Sequence, residues 1–150
     1  MKIIVINGPN LQLLGQREPG IYGKTTLDDL NNRLKTVASS IGVDVSFFQS
    51  NNEGGIVDKI ASAFKDKLDG IIINPAAYTH TSIAIRDAIE AVKIPALEVH
   101  ISNIHAREEF RRSSMTAAVC LGQISGLGID GYEWALRAMA NYLQNMKKQN

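Results

Sequence analysis

Residues 2–11 read Lys-Ile-Ile-Val-Ile-Asn-Gly-Pro-Asn-Leu. The Ile/Val run has no polar alternation, so both faces of the segment need covering, as in a parallel strand between two helix layers. Asn7-Gly8-Pro9 then breaks the run. Further short apolar segments lie at 43–49, Gly70–Asn74, Ala96–His100 and 117–122. Helical periods separate most of them. Leu27, Leu30, Leu34, Val37 and Ile41 step by three and four, after a Thr25-Thr26 cap and before Gly42. Ile56, Ile60 and Phe64 step by four, and Ile85, Ala88 (or Ile89) and Val92 continue the pattern until Pro95. Ile129, Tyr132, Leu136, Met139 and Leu143 mark a last helix, expected to fray into the Lys-Lys-Gln-Asn tail. Strands alternating with helices predict an α/β, three-layer sandwich with a five-stranded parallel sheet. The flavodoxin-like order 2-1-3-4-5 puts the switch point between strands 1 and 3. The ends of strands 1, 3 and 4 should then surround the site. They carry Asn7-Gly8-Pro9-Asn10, Asn74-Pro75 and His100.

The 150 residues make one catalytic-size domain, 1–150, with 16 basic and 15 acidic side chains and a net charge of +1. That balance leaves no excess cation to neutralise phosphates, so a nucleic-acid partner is not expected. A single cysteine, Cys120, precludes an internal disulfide and reads as a small buried hydrophobe. The first apolar run is too short for a signal core, and no run reaches the ~20 residues that span a bilayer. No membrane partner is expected, and a cytoplasmic protein is.

Between strand 1 and the first helix lies a long segment, about 8–24, where such loops usually take ~2–6 residues. It contains Arg17, Glu18 and Tyr22 among several Gly and Pro residues. A long loop at the switch point reads as an active-site lid. A free tyrosine is a poor base at neutral pH, and a nearby arginine stabilises tyrosinate and makes it usable. Glu98 and His100 are two apart on a strand and face one side. A carboxylate beside an imidazole fixes its tautomer and favours the protonated ring, which suits a general acid. Arg107 and Arg111, on a helix, would share a face and could clamp a carboxylate. The plainer reading of that segment is a solvated helix with Glu108 paired to Arg111 or Arg112. His80, His100 and His105 lack metal-ligand spacing, so no metal is expected. Gly126-Leu127-Gly128-Ile129-Asp130-Gly131 matches G-x-G-x-x-G, but no second strand with an acid follows, so it reads as a tight turn with Asp130 capping a helix. No cofactor is expected. The inventory of amides, hydroxyls, imidazoles and arginines suits a small hydroxyl-rich anion undergoing proton transfer.

Several longer motifs occur together: Ile-Asn-Gly-Pro-Asn-Leu (6–11), Leu-Leu-Gly (13–15), Arg-Glu-Pro (17–19), Tyr-Gly (22–23), Gln-Ser-Asn (49–51), Asn-Pro-Ala-Ala-Tyr-Thr-His-Thr-Ser (74–82), Glu-Val-His-Ile-Ser-Asn (98–103), Arg-Glu-Glu-Phe-Arg (107–111) and Gly-Leu-Gly-x-x-Gly-Tyr (126–132). From residue 2 to about 143 the chain resembles type II 3-dehydroquinate dehydratase. The resemblance implies a homododecamer built from trimers and cofactor-free dehydration of 3-dehydroquinate to 3-dehydroshikimate in the shikimate pathway. It implies Tyr22 as the base at C2, with Arg17 and Arg107 holding it as tyrosinate. Asn10 would hold a water against the enolate. His100, oriented by Glu98, would protonate the departing C1 hydroxyl. Asn74, Ser102 and the Ile101 backbone would hold the carboxylate, and His80 and Arg111 the hydroxyls. Asp87 would reach a neighbouring protomer's site. The chain departs from the family pattern at Gln12, Asn52 and Ser113-Ser114-Met115, none of which carries an assigned role. A flavin carrier would need a Ser/Thr-rich phosphate loop after strand 1. A phosphorylated receiver would need acids where Asn7 and Asn74 stand and a lysine near Gly122.

Overall fold

A computed structural model describes residues 1–16 and 24–149. Five strands, β1 (Lys2–Asn7), β2 (Asp44–Gln49), β3 (Gly70–Asn74), β4 (Ala96–His100) and β5 (Gly122–Ser125), pair in parallel in the order β2-β1-β3-β4-β5. Helices α1 (Leu27–Ser40), α2 (Glu53–Lys65), α3 (Ile83–Val92) and α4 (Asp130–Gln149) complete the flavodoxin-like sandwich. Side chains alternate across the sheet, which explains the continuous apolar runs. Ile3, Val5, Ile72 and Val99 pack in one buried cluster with Leu30 and Leu34 of α1 and Leu136 and Met139 of α4. Ile4, Ile6, Ile71 and Ile73 pack in a second with Ile56 and Ile60 of α2 and Ile85 and Ile89 of α3.

The helix starts follow local chemistry. Thr26 Oγ1 accepts from the Asp29 N–H at 3.1 Å, and the Asp29 carboxylate accepts from the Thr26 N–H at 3.0 Å. This reciprocal pair satisfies two donors that an α-helix leaves open at its first turn. Asn52 Oδ1 does the same for the Gly55 N–H, and Ser82 Oγ for that of Ile85.

Five details depart from the sequence reading. The last strand is not 117–122. Ala117–Val119 forms a 3₁₀ turn, and β5 begins at Gly122. As an edge strand β5 is only half-buried, so the apolar signal belongs to the turn packed before it. Phe64 is 73% exposed, and Ala63 takes its place in the core of α2. Seven residues after Ile56 bring a side chain within about 20° of the same face, whereas eight overshoot by about 80°. Helix α4 continues to Gln149 rather than fraying, with Asp130 and Glu133 in its first turn and Lys147 and Lys148 in its last, the order the helix dipole favours. Asp130 does not serve as the free cap but lies inside that first turn, 2.7 Å from Arg33 Nη1. Finally, 107–111 is not a helix with two arginines on one face. Arg107 is extended, and only Glu109–Arg111 make a 3₁₀ turn. Phe110, the lone apolar side chain there, is 66% exposed, so no buried stripe anchors a longer helix.

The expected lid at 8–24 lies partly outside the described residues. Its beginning is anchored: Leu11–Leu13 form a 3₁₀ turn, and Leu14 is buried in the α1/α4-side core. β1 and β3 also touch just past their ends. The Gly8 N–H donates to the Asn74 carbonyl at 2.8 Å, and a Cβ on Gly8 would stand 2.4 Å from the Pro75 carbonyl oxygen. Backbone cannot yield as a side-chain tip can. Gly8→Ala is therefore expected to destabilise the fold by about 2 kcal/mol, the middle of the overpacking range. In a domain this size that lowers Tm by about 4–8 °C. Calorimetry finding an unchanged Tm would show that the two loops are not in this contact.

Candidate active site at the carboxyl ends of the strands

A cavity of about 390 Å³ opens where β1, β3 and β4 end, at the switch point. Asn10 comes from the first loop, and Asn74 and His80 from β3 and the 3₁₀ turn Ala76–His80 behind it. His100 ends β4, with Ile101 and Ser102 beyond it, and Arg107 and Arg111 form a further edge. The expected positions that are described all meet here except Glu98, which lies beneath His100, and Asp87. Asp87 is exposed on α3, outside this cavity. Arg17 and Tyr22 lie outside the described residues.

Glu98 is fully buried on the same side of β4 as His100. His100 Nε2 meets Glu98 Oε1 at 2.6 Å. An ionised carboxylate only accepts, so Nε2 carries the hydrogen and Nδ1 is left for the cavity that His100 lines. Gln123 Nε2 donates to Oε1 at 2.7 Å, Ser114 Oγ donates to the carboxylate at 2.9 Å, and Thr116 Oγ1 donates to Oε2. Burial alone would raise the Glu98 pKa. The hydrogen bonds from His100, Thr116 and Gln123, and the charge of His100, outweigh it and hold the carboxyl below its ordinary value.

Ser114, Thr116 and Gln123 escaped the sequence reading. No sequence signal marks Ser114 or Thr116, and Gln123 pairs with Glu98 across the sheet only once β5 is placed at Gly122–Ser125.

His80 Nδ1 lies 2.7 Å from the Ser113 carbonyl. A carbonyl only accepts, so Nδ1 is protonated, and neutral His80 offers Nε2 as an acceptor. Arg111 Nε meets Glu108 Oε2 at 2.9 Å and Arg107 Nε approaches the same oxygen at 3.6 Å, so the Glu108–Arg111 pair forms without a helix. Glu108 thereby gathers two guanidiniums at one edge of the cavity. Asn10 sits in the left-handed region, with φ 68°, and its N–H donates to Asn51 Oδ1 at 2.9 Å. The Cys120 thiol is pushed up to about 12, chiefly by burial and then by the Glu98 charge, which removes it as a nucleophile. Among the described residues no three His, Cys, Asp or Glu side chains cluster as metal ligands would, and no helix is long and apolar enough to cross a membrane.

Over residues 1–140 the chain matches the family described as dehydroquinase class II. The chain belongs to that family. It is 57% identical over 142 residues to the 3-dehydroquinate dehydratase of Endomicrobium trichonymphae, covering 95% of this chain and 99% of that one. The 3-dehydroquinate dehydratase of Caldicellulosiruptor bescii is 58% identical, with coverage of 95% and 98%. The crystal structure of type II dehydroquinase from Butyrivibrio crossotus superposes with a TM-score of 0.91 at 51% identity, over 93% of this chain and 97% of that one. The resemblance read from the motifs at 6–11, 74–82 and 98–103 is therefore a family membership.

The Glu98 network makes stability depend on pH. A carboxyl whose folded pKa is depressed contributes stability that is fully present above its ordinary value of 4.5 and is lost as pH falls through the folded pKa. Chemical denaturation between pH 6 and pH 3 is expected to show stability falling below about pH 4.5. Glu98→Gln should be less stable at neutral pH and should show a shallower fall. An equally steep fall in the variant would assign the acid sensitivity to other carboxyls.

Proposed function

We propose that this chain dehydrates 3-dehydroquinate to 3-dehydroshikimate, using its own side chains as base and acid and no cofactor. The observation that carries the reading is the Glu98–His100 pair at the switch-point cavity, in a chain of the class II dehydroquinase family. In this reading Tyr22, as tyrosinate, takes a proton from C2, beside the C3 ketone. Arg17 and Arg107 keep its oxygen charged. The electron pair left at C2 delocalises onto the ketone oxygen, and a water held by Asn10 donates to that enolate. The enolate then collapses, C1=C2 forms, and the C1–O bond breaks. Protonated His100 gives its Nδ1 proton to the departing hydroxyl, which leaves as water. Passing the proton gained by Tyr22 to solvent, while His100 regains one, resets both groups.

The remaining groups match the substrate's ends. Asn74, Ser102 and the Ile101 backbone receive the carboxylate. His80, through the Nε2 that its bond to Ser113 leaves open, accepts from a ring hydroxyl, and Arg111 donates to another. The glutamate at 108 keeps Arg111 aimed without neutralising both arginines.

We further infer an assembly of trimers into a dodecamer, in which Asp87, exposed and away from its own cavity, serves a neighbour.

The test is turnover of 3-dehydroquinate, followed by the ultraviolet absorption of the conjugated enone. Tyr22→Phe removes the base and keeps the ring. It is expected to lower kcat by at least ~10²-fold, the low end for a general base, while a substrate analogue still binds. Near wild-type kcat in Tyr22→Phe would remove Tyr22 from the mechanism. Light scattering on the same samples should give a mass severalfold above the 16.4 kDa of one chain. A fully active monomer would remove the assembly.

A further inference from the structure

The glycine-rich stretch 126–131 resembles a dinucleotide turn, yet it works differently here. The Gly126 N–H donates to the His100 carbonyl at 3.3 Å, and the Gly128 N–H to the Ile101 carbonyl at 3.0 Å. Both glycines have positive φ, 89° and 60°, which a Cβ would strain. The turn thus ties the start of α4 to the end of β4. Gly131 sets the first turn of α4 against Val99 and Ile124, since a Cβ there would lie 3.6 Å and 3.4 Å from their methyl carbons. Tyr132 follows. Its ring is fully buried, and its hydroxyl reaches the ends of two other strands.

Asn7 and Asn74 are register partners at the ends of β1 and β3. Tyr132 Oη lies 2.8 Å from Asn74 Nδ2 and 2.7 Å from Asn7 Oδ1. The direction of these bonds follows from chemistry. The Ala76 N–H, which only donates, lies 3.1 Å from the other end of the Asn74 amide, so that end is Oδ1. Nδ2 therefore faces Tyr132, the hydroxyl accepts from it, and the hydroxyl proton goes to Asn7. Ala76 itself holds φ 52°, a left-handed backbone that this bond helps to keep. Burial raises the Tyr132 pKa well above its ordinary value, so the group stays a neutral phenol and can play both parts.

The geometry points to Tyr132 as a positioning residue: its hydroxyl, held by Asn7, locks the Asn74 amide with N–H rather than C=O toward the cavity, so that Asn74 receives a carboxylate. This rests on the dehydratase reading above. Without the hydroxyl the amide loses one of its two anchors. Turning over would present an oxygen to the anion.

The test is Tyr132→Phe, which deletes only the hydroxyl. The carboxylate on C1 keeps its charge from substrate through to product, so Asn74 holds it alike in the ground and transition states, and loosening it raises KM and spares kcat. KM for 3-dehydroquinate should rise about tenfold, the effect of ~1.4 kcal/mol, with kcat within about twofold. Inhibition by 3-dehydroshikimate should weaken about tenfold, but that by its methyl ester only about threefold, because a charge-assisted bond is about twice as strong as a neutral one.

A merely structural role would weaken acid and ester equally. Equal weakening, a fall in kcat at constant KM, or no change would each overturn the assignment. If Tyr132→Phe does not fold, Asn7→Ala keeps the phenol but removes the acceptor of its proton. It must then shift the two inhibition constants in the same unequal way, and equal constants would overturn the assignment as well. A wild-type protein that leaves 3-dehydroquinate unconverted would instead remove the dehydratase reading, and this role with it.

Discussion

A buried carboxylate organises this site. Glu98 has no solvent contact, yet its two oxygens receive donors from His100, Gln123, Ser114 and Thr116. Burying an unpaired carboxylate is prohibitive, so these groups must converge if Glu98 is to stay charged. They come from β4, from β5 and from the segment leading into β5. Satisfying one charge therefore closes the sheet edge and folds 101–121 back over the strand ends. The Met115 N–H donates to the Thr79 carbonyl at 2.7 Å, which seats the same segment against the 3₁₀ turn bearing His80. A hydrogen bond to a charged group contributes about 1.5–3 kcal/mol, so each of these donors helps to keep Glu98 ionised in the interior.

The site draws on both faces of the sheet. Ser82 and Ile85 begin α3 behind the β3 loop, while Tyr132 rises from the α1/α4 core to the amides of Asn7 and Asn74. Two strand ends that pair as Asn7 and Asn74 thus become one hydrogen-bonded unit with a helix distant in sequence. The close approach of Gly8 to Pro75 belongs to the same unit, because it keeps the loops after β1 and β3 in contact above the sheet. On its Asn74 side the cavity wall is tied by hydrogen bonds between buried groups. Its arginine edge rests on a half-exposed ion pair with Glu108, which solvent screens.

How much was legible before the structure depended on whether a signal was local. β1 and β3 declare themselves, because strands covered on both faces carry unbroken Ile/Val runs. The switch-point rule then places Asn10, Asn74 and His100 together with no motif knowledge. Glu98 beside His100 is legible from strand parity. β5 is not, because an edge strand of Gly-Gln-Ile-Ser carries little apolar signal and the stronger run before it misleads. Phe64 misled because a step of four drifts off a helix face. The three donors to Glu98 other than His100 lie 16 to 25 residues away in sequence and are residue types common on any surface. Only register and folding reveal them. Tyr132 was legible as core, but not as a hydroxyl reaching two strand ends. The chemical roles of Tyr22 and Arg17 rest on family resemblance and not on packing.

In the proposed reaction the cavity ringed by Asn10, Asn74, His80 and His100 holds the reacting ring with its carboxylate toward Asn74 and Ser102. A crystal structure of the protein soaked with 3-dehydroshikimate would show this placement. The product is expected in this cavity, its carboxylate within hydrogen-bond reach of Asn74 Nδ2 and Ser102, and C1 on the side of His100 Nδ1. Product bound elsewhere, or bound here with its carboxylate on Arg107 and Arg111, would contradict it.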